Sequence, residues 1–207
     1  MIELNNLTIQ YDHIILDHIT YTFPHTGLIG IQGASGCGKS TLLYCISGLS
    51  EYSGSILFNG QEIDRSICRM IAFIKQNNDL IPSFTVEENI IAGCYFGQIA
   101  YDKKKMNRIV KKLKIDKLLK RYPSELSIGQ MKRVSIARAL LKEAPVLLCD
   151  EPTGALHYKQ AKEVMELLKE VSANRLVIIV SHDQELLSHY ADTLIELKDH
   201  QFHTLKE

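Results

Sequence analysis

The chain has 207 residues, of which 45% are apolar and 23% charged, and its formal net charge is zero. This length allows one domain with a substantial core, and the zero net charge gives no reason to expect a nucleic-acid partner. No window approaches the roughly 18 consecutive apolar residues that span a bilayer, and the polar N-terminus lacks the layout of a signal peptide. We therefore expect the chain to stay in the cytosol unless a partner holds it at a membrane.

The cysteines are odd in number and irregularly spaced: Cys37, Cys45, Cys68, Cys94 and Cys149. Without a Cys-x-x-Cys motif, this spacing argues against a disulfide framework and against a zinc site. We expect reduced thiols.

The first quarter of the chain is predicted to form strands. Apolar and polar residues alternate over residues 2–9 and 14–23, and a short apolar run at 27–31 is typical of a buried strand. A Gly-rich loop follows, and then residues 40–49 have helical character. Two more strands are predicted at 53–58 and 69–75.

The middle of the chain, residues 83–141, is predicted to be helical. Thr85 and Glu88 have the spacing of a capping box that opens a helix. Further on, four apolar residues recur on one helical face: Met106, Ile109, Val110 and Leu113. The segment 101–121 also carries ten Lys or Arg against two Asp. It is predicted to form either a solvated helix face or a surface facing an anionic membrane leaflet.

The last third alternates strands at 145–149, 175–180 and 193–197 with helices at 155–171 and 183–190. Such alternation predicts a parallel sheet covered on both faces by helices. The fold class is therefore predicted to be α/β with a helical insertion.

A phosphate-binding loop is indicated at residues 33–40, which read Gly-Ala-Ser-Gly-Cys-Gly-Lys-Ser between an apolar strand and a helix. Glycines allow backbone N–H groups to close around phosphates, and the helix N-terminus adds partial positive charge. Lys39 can reach the β- and γ-phosphates of a nucleotide, and the Ser40 hydroxyl can ligate Mg²⁺.

Two acids end a second apolar run, at residues 146–151. Ligands of open α/β sheets lie at the carboxyl ends of the strands, which is where these acids are expected. Asp150 is predicted to hold Mg²⁺, directly or through water, and Glu151 to orient and deprotonate the attacking water. A third segment, Leu-Ser-Ile-Gly-Gln at 126–130, heads a helix for which Ser127 is the predicted N-cap.

With this third segment the chain resembles the ABC ATPase family, whose LSGGQ signature is similar to Ser127-x-Gly129-Gln130 and the helix after it. The resemblance covers nearly the whole chain. It implies a P-loop NTPase core of the RecA-like type with a mainly parallel sheet, an N-terminal antiparallel part and an inserted helical subdomain. The whole chain, 1–207, would be a single ATPase domain, with a core at approximately 1–76 and 144–207 and the subdomain at approximately 77–143.

The resemblance also implies roles for single residues. Tyr11 resembles the aromatic residue that stacks on adenine, Gln76 the glutamine that senses Mg²⁺ and the membrane partner, and His182 the histidine that touches the γ-phosphate. Glu151, His182 and Lys39 would be catalytic, and Ser40, Gln76 and Asp150 would hold the metal. ATP would be bound by Tyr11, Gly33, Ala34, Ser35, Gly36, Cys37, Gly38, Lys39, Ser40, Thr41, Gln76, Ser127, Gly129 and Gln130.

Two positions depart from the family pattern. Ile128 stands where the signature usually has Gly, and a β-branched residue there resists a positive φ and crowds the backbone. His157 stands where the family usually has an Asp that helps link the two sites of a dimer. The second departure puts coupling between the sites in doubt, but not hydrolysis.

The family resemblance implies a head-to-tail dimer in which each ATP lies between the phosphate loop of one chain and Ser127 and Gly129 of the other. It also implies separate membrane-spanning permease subunits, and thus a location on the inner face of the cell membrane. Residues 71–90 and 151–156 look like the lipoprotein-release, macrolide-efflux and antimicrobial-peptide exporter branch, so a bacterial exporter of a peptide, antibiotic or lipid is favoured.

Two other functions remain open. A soluble ABC ATPase acting on DNA or ribosomes usually carries a coiled-coil insertion or a second ATPase module, and neither fits in 207 residues. A membrane-associated regulator of the cell-division type would have the same sequence features, so only its partner would distinguish it.

Overall fold

The computed structural model of the chain describes residues 1–63 and 70–206, so Cys68 and Arg69, the first residue of the strand predicted at 69–75, lie outside the described residues. The described part contains ten strands: β1 (Ile2–Gln10), β2 (Ile14–Phe23), β3 (Gly27–Gln32), β4 (Ser53–Phe58), β5 (Gln61–Glu62), β6 (Ile71–Ile74), β7 (Val146–Asp150), β8 (Leu176–Val180), β9 (Thr193–Lys198) and β10 (Gln201–Lys206). Its α-helices are α1 (Lys39–Ile46), α2 (Val86–Phe96), α3 (Lys103–Lys112), α4 (Ile128–Leu141), α5 (Tyr158–Ser172) and α6 (Gln184–Tyr190).

An antiparallel sheet has the strand order β2-β1-β4-β5. β1 buries Leu4 and Leu7 on the same face, although strict alternation would turn residues three apart to opposite faces. The pairing with β2 is irregular between these two residues, where Asn6 has a φ of 53°. This local bulge restores the inward direction of Leu7, so the sheet keeps a continuous apolar face.

A second sheet has the order β10-β9-β3-β8-β7-β6, with parallel pairing throughout except between β9 and β10. Every residue of β7 and of β8 is buried, as the continuous apolar runs of a fully covered parallel sheet require. Because β3, β8 and β7 are neighbours, the residues that follow them meet at one edge of the sheet. Those residues include the phosphate loop, His182 and Glu151.

Apolar clusters cover both faces of this sheet. One cluster joins α2, α3 and α4 to the sheet face that also carries α5 and α6, and the other joins α1 and the antiparallel sheet to the opposite face. The capping box predicted for α2 is confirmed, since Thr85 Oγ1 accepts a hydrogen bond from the Glu88 N–H at 3.3 Å and the Glu88 carboxylate accepts one from the Thr85 N–H at 2.7 Å. No helix within residues 1–63 and 70–206 is long and apolar enough to cross a membrane.

The predicted fold class is confirmed, and the differences concern element ends and the strands β5 and β10, which were not predicted. α5 begins at Tyr158 rather than at residue 155, because the residues before it form tight turns closed by the Gly154 N–H on the Glu151 carbonyl and the Leu156 N–H on the Thr153 carbonyl. α1 ends at Ile46, before the predicted residue 49. β10 was not predicted, because five of its six residues are exposed and only its pairing with β9 makes it a strand.

Candidate active site

The phosphate loop connects β3 to α1, and Gly38 is the N-cap of that helix with a φ of 104°. A Cβ at Gly38 would lie 2.3 Å from Cγ2 of Ile15, so both the backbone conformation and the space around it require glycine. Among residues 1–63 and 70–206, no side chain caps the N-terminus of α1. Its first N–H groups are therefore left for an anion, as in other phosphate-binding loops.

The ammonium group of Lys39 is folded onto its own loop. Lys39 Nζ donates to the carbonyls of Gly33 at 2.9 Å and Ala34 at 2.7 Å, and it lies 3.7 Å from Sγ of Cys37. The side chain is buried. A buried ammonium held by two neutral carbonyls has no carboxylate partner in the described part of the chain, and a phosphate group would complement its charge.

Asp150, the last residue of β7, is 2% exposed and accepts a hydrogen bond from Ser40 Oγ at 3.0 Å. Burial raises the pKa of Asp150 above its ordinary value, while the Ser40 hydrogen bond and the positive charges of Lys132 and Lys39 oppose that rise. The hydroxyl and the carboxylate are hard oxygen donors at one cavity, which Gln76 also lines. This donor set fits Mg²⁺.

Glu151 has a φ of 47°, an uncommon value for a residue with a side chain. Its N–H donates to the Val180 carbonyl at 2.9 Å. Its carboxylate accepts hydrogen bonds from Ser181 Oγ at 3.0 Å and from the His182 N–H at 2.8 Å, and His182 Nε2 lies 3.6 Å from the same carboxylate. The ends of β7 and β8 thus place Glu151, the candidate general base, beside His182, the candidate contact to the γ-phosphate.

These groups surround one cavity of about 240 Å³. It is lined by Ser35, Gly36, Gly38, Lys39, Ser40, Thr41, Gln76, Asp150, Glu151 and His182. The structure therefore brings together the predicted catalytic and metal residues and most of the phosphate loop. Gly33 and Ala34 lie behind the cavity and hold Lys39, and Cys37 is half-buried beside it.

Tyr11 lies apart from this cavity, just after β1. The residue is 56% exposed, and its hydroxyl is 2.7 Å from Oγ of Ser50. An exposed ring near the end of α1 can offer a face to an adenine base.

The signature residues also lie apart from the cavity. Ser127 Oγ accepts from the Gln130 N–H at 3.3 Å and Gln130 Oε1 accepts from the Ser127 N–H at 2.9 Å, which makes a complete capping box for α4. Ile128 is 64% exposed and is not among the residues with a positive φ, so its β-branch causes no strain here. Gly129 packs against the Ala155 carbonyl. His157 is the N-cap of α5 without a side-chain hydrogen bond to that helix.

Two contacts of the site were not predicted. Ser181 bridges Glu151 and α6, because its hydroxyl also accepts a hydrogen bond from the Asp183 N–H at 3.1 Å. Lys132 of α4 is buried and donates to the carbonyls of Lys75 and Gln76. Only adjacency to His182 marked Ser181 in the sequence, and nothing distinguished Lys132 from a surface lysine.

Known proteins resemble this chain over most of its length. A protein-family model described as ABC transporter matches residues 16–154. The macrolide export ATP-binding/permease protein MacB of Pasteurella multocida is 33% identical over 216 residues, covering 96% of this chain and 33% of that protein. The sulfate/thiosulfate import ATP-binding protein CysA of Synechocystis sp. is 35% identical over 206 residues, covering 96% of this chain and 58% of that protein. The chain thus spans about a third of the length of the first relative and less than two thirds of the second.

Among solved structures, a dimeric post-hydrolysis state of the ATP-binding cassette MJ0796 bound to ADP and Pi superposes with a TM-score of 0.90 at 29% identity, covering all of both chains. The family model covers most of the chain, and the residues after β3 and β7 have the geometry described above. The chain therefore belongs to the ABC transporter family and is one of its ATP-binding, ATP-hydrolysing domains.

Proposed function

We propose that this chain binds ATP and Mg²⁺ in the cavity at the edge of the parallel sheet and that hydrolysis there powers a membrane transporter. The observation that carries the proposal is the convergence of Lys39, Ser40, Asp150 and Glu151 on that one cavity. Each of these side chains is of the type that phosphoryl transfer requires: a cation, an oxygen pair for the metal, and a carboxylate base.

The residues that would hold Mg²⁺ are Ser40, Gln76 and Asp150. When bound, the ion supplies positive charge that neutralises the phosphate oxygens. Asp150 fits this role because burial raises the pKa of its carboxyl group, and a bound cation would oppose that rise. Lys39, which is now held by two loop carbonyls, would exchange these for phosphate oxygens.

Glu151 is the proposed general base that accepts the proton of the attacking water. Its carboxylate already accepts two hydrogen bonds, from Ser181 Oγ and the His182 N–H, so its direction is set before a nucleotide arrives. His182, next to it, would donate to the γ-phosphate. A base held in one orientation avoids reorganisation during the reaction, which is one source of catalytic rate.

A second ATPase subunit is proposed to complete the site. Ser127, Gly129 and Gln130 do not line the cavity of their own chain, and Ile128 beside them is exposed. The dimeric structure of the MJ0796 cassette supports a dimer. In the proposed head-to-tail arrangement, Ser127, Gly129 and Gln130 would reach the nucleotide of the partner subunit.

We further propose that residues 77–143 act as a helical subdomain on a core of 1–76 and 144–207, and that separate permease subunits hold the chain at the inner face of the membrane. The exposed side chain of Tyr95 and an apolar groove beside it, lined by Phe84, Ile91 and Ala92, offer the subdomain a surface for such a partner.

The named relatives include an exporter and an importer, so export of a peptide, antibiotic or lipid rests on the resemblance of residues 71–90 and on the macrolide-export relative.

The decisive test of hydrolysis is Glu151→Gln. The amide keeps the size of the side chain but cannot take a proton from water, so turnover should fall about 100-fold or more while ATP binding is retained. A matched control is Glu166→Gln, an exposed residue of α5, which should leave turnover unchanged. Steady-state phosphate release and a nucleotide-binding titration give the two readouts. Full turnover in Glu151→Gln would remove this residue from the role of general base.

Glu151→Gln should also accumulate an ATP-bound dimer on size-exclusion chromatography, because the ATP that joins the subunits is no longer consumed. Co-purification of a membrane permease with the tagged chain from detergent-solubilised membranes, and stimulation of its turnover by that permease, tests the transporter. A chain whose turnover responds to duplex DNA or to ribosomes instead would belong to the soluble class.

A further inference from the structure

Lys132 is a buried cation that the proposed mechanism does not use. It lies on α4, one turn after the signature residues, and only 2% of it is exposed. Burying an ammonium group costs several kcal/mol unless its hydrogen bonds are made. Lys132 Nζ makes them to two backbone carbonyls, those of Lys75 at 2.9 Å and Gln76 at 2.8 Å.

The charges around Lys132 belong to the active site. Burial lowers the pKa of Lys132, and the negative charges of Asp150, Glu151 and Asp79 oppose that shift. A second cavity, of about 400 Å³, separates α4 from the catalytic residues and is bordered by Gln76, Asn77, Lys132, Glu151, Gly154, Ala155 and His182. The loop after β6 is therefore not closely packed on this side. Its backbone is held by the two hydrogen bonds from Lys132, which lies 57 residues from Lys75 and 56 residues from Gln76 in the sequence.

A second lysine makes a comparable contact at the opposite end of the same strand. Lys142, just beyond α4, is half-buried and its Nζ donates to the carbonyl of Ile71, the first residue of β6, at 2.6 Å. α4 is thus joined to both ends of β6 by lysine-to-carbonyl hydrogen bonds. Only the Lys132 end leads directly to a residue that lines the phosphate cavity, namely Gln76.

We propose that Lys132 is a positioning residue that joins the helix of the signature segment to the Gln76 loop and so holds the Gln76 side chain at the metal edge of the phosphate cavity. This inference rests on the proposed function, since it assigns Gln76 to the metal. The two hydrogen bonds of Lys132 also link α4 directly to Gln76. A displacement of the α4 N-terminus would therefore be transmitted to the metal site through the carbonyls of Lys75 and Gln76.

The test compares Lys132→Met, which keeps the apolar stem and loses the donors, with Lys142→Met as the matched control. The first readout is hydrogen exchange of the backbone amides of residues 75–78 without nucleotide. Exchange there should accelerate about tenfold or more in Lys132→Met, because hydrogen bonds of a charged donor are lost. In Lys142→Met it should stay near the wild-type rate.

The second readout is the Mg²⁺ concentration that half-saturates ATP hydrolysis. It should rise several-fold in Lys132→Met and stay unchanged in Lys142→Met, even if both variants lose similar stability to urea. Should Lys132→Met fail to fold, Lys132→Gln removes the charge and shortens the side chain by one bond while keeping a polar end, and the same two shifts are expected.

Equal exchange rates and equal Mg²⁺ dependence in the two lysine variants would overturn the proposal and leave Lys132 a structural residue only. The proposed function fails separately, when the wild-type chain does not hydrolyse ATP. In that case the exchange measurement still decides whether Lys132 holds the Gln76 loop.

Discussion

The N-termini of α1 and α4 both carry backbone N–H groups that have no partner within the helix, but the two ends differ in their caps. α1 has Gly38 as N-cap and no side-chain cap, and it opens into a cavity lined with charged groups of the same chain. α4 has a complete capping box between Ser127 and Gln130, and its first residue, Ile128, is exposed. The N-terminus of α1 is thus uncapped and faces a cavity of its own chain, whereas the N-terminus of α4 is capped and exposed.

The difference follows from where the ligand must come from. An uncapped end leaves its donors without protein partners, which costs stability, so it is found where a phosphate will satisfy them. An end that stays exposed until a second subunit arrives needs its own cap in the meantime. The capping box of α4 satisfies two donors in the single chain, while in the proposed dimer the remaining N–H groups and the Ser127 hydroxyl would be available to a nucleotide on the partner subunit.

The largest effect on ATP binding is expected from Gly38→Ala, which changes the N-cap residue of α1. The added Cβ would lie 2.3 Å from Ile15 Cγ2 at a φ of 104°, so the loop has to move and the N–H groups of α1 lose their common direction. Backbone strain of about 1–3 kcal/mol makes ATP binding weaker by about fivefold to about 150-fold. Gly60→Ala is the control, since it has a φ of 80° with open space around it and lies outside the cavity. A titration in which both variants bind ATP equally well would contradict this account of α1.

An intermediate effect is expected from Ser127→Ala, which removes the cap of α4. The variant should lose about 1 kcal/mol of unfolding free energy, the usual value of an N-cap. In a Glu151→Gln background it should also require more ATP to form the dimer on size-exclusion chromatography. Thr85→Ala removes the equivalent cap of α2 and is the matched control. It should cost similar stability without changing dimerisation, and equal dimerisation in both variants would show that Ser127 acts only within its own helix.

The smallest effect is expected from Ile128→Gly. The side chain is 64% exposed at the first position of α4 and has no positive φ to relieve, so the fold should be intact and ATP hydrolysis should not fall. The loss of unfolding free energy should stay below about 1 kcal/mol, the usual difference between glycine and a better helix former. A large loss of hydrolysis with ATP binding preserved would reveal a contact of Ile128 on the partner subunit.

Most of the core site could be predicted because its chemistry is local in sequence. The phosphate loop is a contiguous run between a strand and a helix, and Asp150 and Glu151 end an apolar strand, so strand order alone brings them together. Ser181 could not be predicted as a partner of Glu151, since a hydrogen bond across 30 residues depends on the β7–β8 pairing. β10 and the late start of α5 were missed for the same reason, because pairing and turn geometry outweighed local pattern.

The sequence by itself determined the α/β class, the phosphate loop, the acids after β7 and the family, because each depends on residue type at fixed short spacing. The tertiary structure alone decided that Lys132 is buried, that it holds the Gln76 loop, and that the signature segment lies outside the cavity of its own chain. A lysine in a helix has the same local pattern whether it points to water or to a carbonyl 56 residues away. The packing of α4 against the loop after β6 distinguishes a buried lysine from an exposed one, because burial and hydrogen-bond partners depend on the folded structure.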